Sequence, residues 1–412
     1  MFSHNIAKNY NVLTRFTNNI IITNGIGSRL IDMYQNSYLD ATSSYCSANL
    51  GHQHDHFKKI LIKQLDNLSI CPRYVENNKL NNLGNVISTY FSNKMNLKDK
   101  QYLQVLPSCN GVDTVETAIK LSRAWGFEKK GIPLSKSKQI FMDGNFHGRT
   151  LGAISVNNYD YQHKFYPKVP NLINIPFNDI ENLKFYLEHR TTHEIISAIF
   201  VEPIQCEGGI NIPDFDYLYQ VRKLCDKYNI LLVCDEIQTG LFRTGKLLCS
   251  EKYNVKPDVV LLGKSLGGGY LPVSVCISSN EIMSSIKEGE HGSTFGGYPL
   301  GSAMAAEVIK YLHHYNYEKT ILQLSSEYYY NLKLLQEKYK FIKNIKIEGF
   351  LFGIELDCAV SADKICSDLT NHNILIRPAK NNTIRLSPPF IITSEETKEL
   401  FDGFNKSFDK ND

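Results

Sequence analysis

"PDVVLLGKSLGGGYLP", residues Pro257 to Pro272, drives an apolar run straight into a lysine and then into glycines. The unbroken aliphatic stretch Val259 to Leu262 has the pattern of a strand buried on both faces, yet the run ends on a cation, Lys264. Two earlier runs are built alike: "ISAIFVEP" (196–203) finishes at Glu202 and "NILLVCDE" (229–236) at Asp235. Helical periodicity appears elsewhere, as in "NGVDTVETAIKLSRAWGF" (110–127), where Val112, Val115 and Ile119 share a face after a start at Asn110 and Gly111. Near-continuous apolar strands separated by helices predict an α/β chain whose parallel sheet is covered on both faces. Ligands of such sheets bind beyond the carboxyl ends of the strands, so Glu202, Asp235 and Lys264 are expected at one crevice. One charge there could be a solvated strand end or a local ion pair. Three on consecutive strands read as a site, because charges beside apolar runs are expensive to desolvate.

Composition narrows the field. A chain of 412 residues, 42% hydrophobic, has room for two or three domains, or one large domain and a smaller appendage. Its 45 basic and 42 acidic residues are spread without a basic block, which argues against a nucleic-acid partner. Ten cysteines show no CxxC spacing, and Cys225, Cys234 and Cys276 lie in apolar runs, as reduced core thiols do. "MFSHNIAKNYNVL" at the start has no apolar or Arg-rich leader character, and no apolar run reaches the roughly 20 residues a membrane span needs. The expectation is a soluble, cytoplasmic protein with no membrane partner. His52, His54 and His56 alternate in "GHQHDHF" (51–57) without a cysteine or carboxylate framework, so they are assigned to a loop and no metal is expected.

The chemistry of Lys264 is reached by exclusion. "GKS" ends a phosphate-binding P-loop only if glycine stands at position 258, which is Asp258, and the preceding run is strand. "GIGSRL" (25–30) lacks the third glycine of a dinucleotide fingerprint. What remains is a partly desolvated lysine, nucleophilic toward an aldehyde, as in a Schiff base with pyridoxal phosphate. That cofactor also needs an acid on its pyridinium nitrogen, for which Asp235 is the candidate. Gly111 and Val112 at a helix start can offer N–H groups to its phosphate, Phe146 in "DGNFHGRT" (143–150) can stack on its ring, and Thr294 in "HGSTFGG" (291–297) offers a second phosphate contact.

The ordered set "NGVDTVETAIKLSR", "GNFHGRT", "VEPIQCEGG", "CDEIQTGLFRTG", "LLGKSLGGG" and "HGSTFGGYPLG" resembles the class III pyridoxal-phosphate-dependent aminotransferases of fold type I over nearly the whole chain. Within that group "DEIQTGLFRTG", "IRLSPPF" and Tyr45 in "SSYCSANLGHQH" resemble the ornithine δ-aminotransferases, with acetylornithine or other ω-amino acid aminotransferases as the alternative. The resemblance implies an N-terminal segment (1–45), a large pyridoxal-phosphate-binding domain with a mostly parallel sheet (46–304) and a smaller C-terminal α/β domain (305–412). It implies transfer of the δ-amino group of ornithine to 2-oxoglutarate in a homodimer, or a higher oligomer, with shared active sites. Lys264 would form the Schiff base and shuttle the proton, Asp235 would pair with the pyridinium, Gln238 would contact the ring hydroxyl oxygen, and Thr294 would reach the neighbouring subunit's cofactor. Tyr10 and Arg149 would hold the α-carboxylate end of ornithine. Arg385 would grip the 2-oxoglutarate carboxylate by a bidentate fork, with Glu202 covering it in the first half-reaction. Asn110, Asp113, Cys206, Tyr298 and His147 depart from the usual pattern, and His147 stands where acetylornithine enzymes also carry histidine.

Overall fold

The computed structural model describes residues 20–157 and 166–410. Three short strands come first: β1 (Ile22–Ile26), β2 (Arg29–Asp32) and β3 (Ser37–Asp40), joined antiparallel. The central strands are β4 (Leu103–Ser108), β5 (Lys138–Met142), β6 (Leu172–Ile175), β7 (Ile196–Val201), β8 (Leu231–Asp235), β9 (Val259–Leu262) and β10 (Ser274–Ser279). They form one seven-stranded sheet in the order β4-β10-β9-β8-β7-β5-β6. Strands β9, β8, β7, β5 and β6 pair in parallel, and β10 runs antiparallel to both of its neighbours.

Every residue of β7, β8 and β9 is buried, which explains why these runs lack apolar alternation. Ala198, Phe200, Leu231, Val233, Val259 and Leu261 pack on one face against the helix Gly111–Glu128, through Val115, Ala118 and Ile119. Ile199, Val201, Leu232 and Cys234 pack on the other against the helix Tyr217–Tyr228, through Leu218, Val221 and Cys225. Burying each such aliphatic side chain is worth about 1.5–3 kcal/mol, so a polar substitution here would be among the most disruptive in the molecule.

A second sheet follows from β11 (Ile342–Ile347), β12 (Phe352–Leu356), β13 (Ile374–Leu375), β14 (Arg377–Ala379) and β15 (Thr383–Leu386). Four of these form an antiparallel sheet in the order β11-β12-β15-β14, flanked by the helices Ala362–Asn371 and Ser394–Phe408. Strand β13 instead joins β3 in parallel, so the N-terminal strands share a sheet with the C-terminal region. The boundary expected at residue 304 falls inside the continuous helix Pro299–His314. All ten cysteines are free thiols and seven of them are buried. No helix among the described residues is long and apolar enough to cross a membrane.

Candidate active site

Strand register brings the charged strand ends together. Val201 on β7 lies opposite Cys234 on β8, so Glu202 emerges beside Asp235, and Asp235 lies opposite Leu261 on β9, three residues before Lys264. Glu202, Asp235 and Lys264 line one cavity of about 190 Å³ with Gly111, Val112, Phe146, His147 and Gln238. Lys264 itself has φ +45, a left-handed conformation that turns the chain sharply at the strand tip. Its Nζ donates to Gln238 Oε1, and Gln238 Nε2 is buried without a partner among the described residues. That leaves a hydrogen-bond donor in the cavity wall.

The far side of the cavity is the start of the helix Gly111–Glu128. Asn110 caps it: its Oδ1 accepts from Asp113 N at 3.2 Å, and its backbone carbonyl accepts from Thr114 N at 3.3 Å. The N–H groups of Gly111 and Val112 have no protein partner among the described residues, in the positive field of an 18-residue helix. Asp113 does not stand bare there, because Asn110 Nδ2 donates to its Oδ2 at 2.8 Å.

Between these ends lies a buried triad of ionisable groups. His147 Nδ1 is 2.7 Å from Asp235 Oδ2, its Nε2 is buried without a partner, and Glu202 Oε1 accepts from Phe146 N at 2.8 Å. Burial pushes the Glu202 carboxyl up to about 8; the His147 charge opposes this, the Asp235 charge adds to it, and Phe146 N–H and Lys264 oppose it. Burial works against a charged His147, but the hydrogen bond and charge of Asp235, with Glu202 beyond, hold its pKa above the ordinary value. His147 is thus the partner that orients Asp235.

Arg385, on β15, is almost fully buried and forms an ion pair through its Nη1 with Glu207, not with Glu202. The expected Glu202–Arg385 pair is therefore corrected: Glu202 belongs to the floor beside Asp235, and the second glutamate of "EPIQCEGG" reaches the arginine. Burial disfavours the Glu207 anion, yet the charge of Arg385, with Lys264, the Arg385 hydrogen bond and Arg149 behind it, holds it below the usual carboxylate range. Tyr45 covers the same guanidinium, 5.1 Å from its ring centroid. It is carried on four successive non-glycine residues at positive φ, Ser43 to Cys46, a strained turn held by Ser44 N to Asp40 Oδ2 at 2.8 Å and Ser43 Oγ to Ser387 O at 2.9 Å. Arg149 is exposed and stacks over Phe146 at 5.9 Å. Thr294 is exposed and lies outside this chain's cavity lining, and Tyr10 lies outside the described residues. Among the three alternating histidines, His52 meets Asp40 at 3.0 Å, His54 meets Tyr311 at 3.2 Å and His56 meets Glu307 at 2.7 Å.

An amine at a strand tip, a carboxylate buried under a histidine, free N–H groups at a helix start and an aromatic wall fit pyridoxal phosphate, end for end. Residues 12–408 match the family described as aminotransferase class-III. The chain is 39% identical over 391 residues to ornithine aminotransferase 1 of Staphylococcus aureus (strain MRSA252), covering 94% of each protein. Its fold matches the ornithine aminotransferase structure from Toxoplasma gondii ME49 with a TM-score of 0.90 and 33% identity, over 97% of this chain and 93% of that one. The acetylornithine aminotransferase of Elizabethkingia anophelis is also similar, with a TM-score of 0.84 and 31% identity over 98% of this chain and 97% of that one.

Proposed function

The chain belongs to the class-III aminotransferases, and from that premise we propose that it moves the δ-amino group of L-ornithine to 2-oxoglutarate, giving glutamate 5-semialdehyde and glutamate. The observation that carries this reading is the covered arginine: Arg385, paired with Glu207 and overlaid by Tyr45, beside the Lys264 cavity. Pyridoxal phosphate, when bound, supplies an aldehyde that takes up the amino group and a ring that accepts electron density from the substrate carbon.

The protein's own groups do the rest. Gly111 and Val112 N–H would hold the phosphate, Phe146 would form the ring wall, and Gln238 would contact the ring hydroxyl oxygen. Asp235, oriented by His147, holds a negative charge against the ring nitrogen. Lys264 Nζ would hold the cofactor's aldehyde end, and its amine would serve as the general acid and base that moves the proton. Tyr45, Arg149 and Tyr10 hold the α-amino and carboxylate end of ornithine, which points the δ-amine inward. An uncovered Arg385 would bind ornithine's carboxylate and present the wrong amine; Glu207 prevents this, then yields the guanidinium to 2-oxoglutarate. Thr294 serves the cofactor of a second subunit, making the active form a homodimer. The reaction is cytoplasmic, and the chain divides functionally into an N-terminal segment, a large domain and a smaller C-terminal domain, the last two joined through the helix Pro299–His314 rather than parted at residue 304.

Spectral titration of the purified holoenzyme tests the reading. Ornithine should abolish the cofactor's absorption band, 2-oxoglutarate should restore it, and Lys264→Ala should show neither change. The competing reading, an acetylornithine or other ω-amino acid aminotransferase, draws on His147. Comparison of kcat/KM for ornithine, N-acetylornithine and γ-aminobutyrate decides between them, and equal or better use of N-acetylornithine would overturn the ornithine assignment.

A further inference from the structure

Glu207 sits on a loop closed by two backbone hydrogen bonds between Gln205 and Asn211, at 3.1 and 3.0 Å. Three successive carbonyls of that loop accept hydrogen bonds from the C-terminal region, and Gly208 O accepts a further one at 3.2 Å from Asn211 Nδ2 within the loop. Lys380 N donates to Glu207 O at 3.2 Å, Asn381 Nδ2 to Gly208 O at 3.1 Å, and Lys346 Nζ to Gly209 O at 2.9 Å. Lys380 and Asn381 form the turn that leads into β15, the strand of Arg385. Lys346 lies on β11, and its Nζ is also anchored by Glu355 at 3.1 Å. Gly209 permits the close approach: it has φ +116, and a Cβ there would stand 2.9 Å from Lys380 O. On the large-sheet side the corresponding tie is Gln205 Nε2 to Asp143 O at 2.7 Å.

We propose that Lys346 and Asn381 are positioning residues of the carboxylate switch: by tethering the 205–211 loop to the turn before β15, they make Glu207 ride with Arg385 and set how firmly the guanidinium is covered. This rests on the ornithine reading for its consequence, though not for its geometry. Neither side chain touches substrate. Both act through Glu207. With the tether intact the pair stays registered while the rest of the cavity adjusts, and a dicarboxylate must displace Glu207 to reach Arg385. With it cut, the loop is freer, Glu207 competes less well, and Arg385 is open to any carboxylate, including ornithine's own.

Calorimetric binding of glutarate to the holoenzyme, together with the ratio of δ- to α-amino transfer from ornithine, tests the tether. In Lys346→Met and in Asn381→Ala the Kd for glutarate is expected to fall about three- to tenfold, which converts to about 0.7 to 1.4 kcal/mol of lost hydrogen bonding. KM for 2-oxoglutarate should fall in parallel, while kcat for ornithine drops and the α-transfer share rises. Glu207→Ala should show the same shift, and adding Lys346→Met to it should change glutarate binding no further. Wild-type values in both single variants overturn the proposal, as does a Lys346→Met effect of equal size with and without Glu207. If Lys346→Met fails to fold, Asn381→Ala, an exposed side chain, carries the same readouts. A wild-type enzyme that binds glutarate but takes no amino group from ornithine would sink the substrate reading instead, and the glutarate measurements would still decide the tether.

Discussion

Glu202 and Glu207 stand in one short motif, yet their surroundings give them opposite electrostatic characters. Glu202 is buried against Asp235 and kept neutral, with its carboxyl pushed up to about 8, whereas Glu207 is held as an anion by Arg385. "EPIQCEGG" cannot say which glutamate meets the arginine, because the choice depends on the turn closed by Gln205 and Asn211 and on β15, far away in sequence. His147 was visible only as a departure from a family pattern; its role under Asp235 depends on a loop folding back across the strand ends. The buried Glu202 has a measurable consequence. Its folded pKa is raised above the ordinary value of 4.5, so its contribution to stability is complete below about 4.5 and is lost as pH rises through about 8. His147, also raised, acts in the same direction above its ordinary value. Cofactor-free wild type should therefore lose roughly 2–4 kcal/mol relative to Glu202→Gln between pH 5 and pH 9, read from urea midpoints. A constant difference across that range, or one of opposite sign, would show that Glu202 is not the buried acid of this cluster.

Elements explain what sequence did reveal. Apolar runs ending on ionisable residues were legible because β7, β8 and β9 are buried on both faces and in parallel register, so their tips must converge. The strained Ser43–Cys46 turn was not legible, since left-handed backbone at four ordinary residues has no local signature and is held not only by nearby Asp40 but by Ser387 and Arg243, far away in sequence. The helix Gly111–Glu128 lies between these cases: its period and start were plain, but the pairing of Asn110 with Asp113 was not. That pairing caps the helix and, on the proposed function, shields the phosphate from an acidic neighbour. Asn110→Ala should cost about 1 kcal/mol of folding stability, the usual value of a lost cap. It should also weaken cofactor binding, because Asp113 is freed toward the anion, whereas Asp113→Asn should strengthen it. Equilibrium dialysis with pyridoxal phosphate reads both, and equal affinities in wild type and Asp113→Asn would remove Asp113 from the electrostatics of the site.

At the scale of the whole molecule, the open question is whether one chain completes its own site. Thr294 is exposed and absent from the cavity of the chain that carries it, although the proposed function gives its hydroxyl to a cofactor phosphate. An isolated site would waste that hydroxyl; a two-fold partner would bring it to a neighbour's phosphate, with each chain giving what it receives. The two arrangements predict different arithmetic in mixtures. Lys264→Ala removes the reactive amine, and Thr294→Glu would set a negative charge against the phosphate that the proposed function gives this hydroxyl, so each protein alone should be inactive. If the hydroxyl acts across the interface, a mixed dimer contains one site with Lys264 and the partner's unaltered threonine, and another site carrying both defects. Random exchange of equal amounts should then restore about a quarter of the wild-type sites, through the half of the dimers that are mixed. If Thr294 serves its own chain, every site in every dimer keeps one defect, and the mixture stays silent even after differently tagged chains are shown to have exchanged.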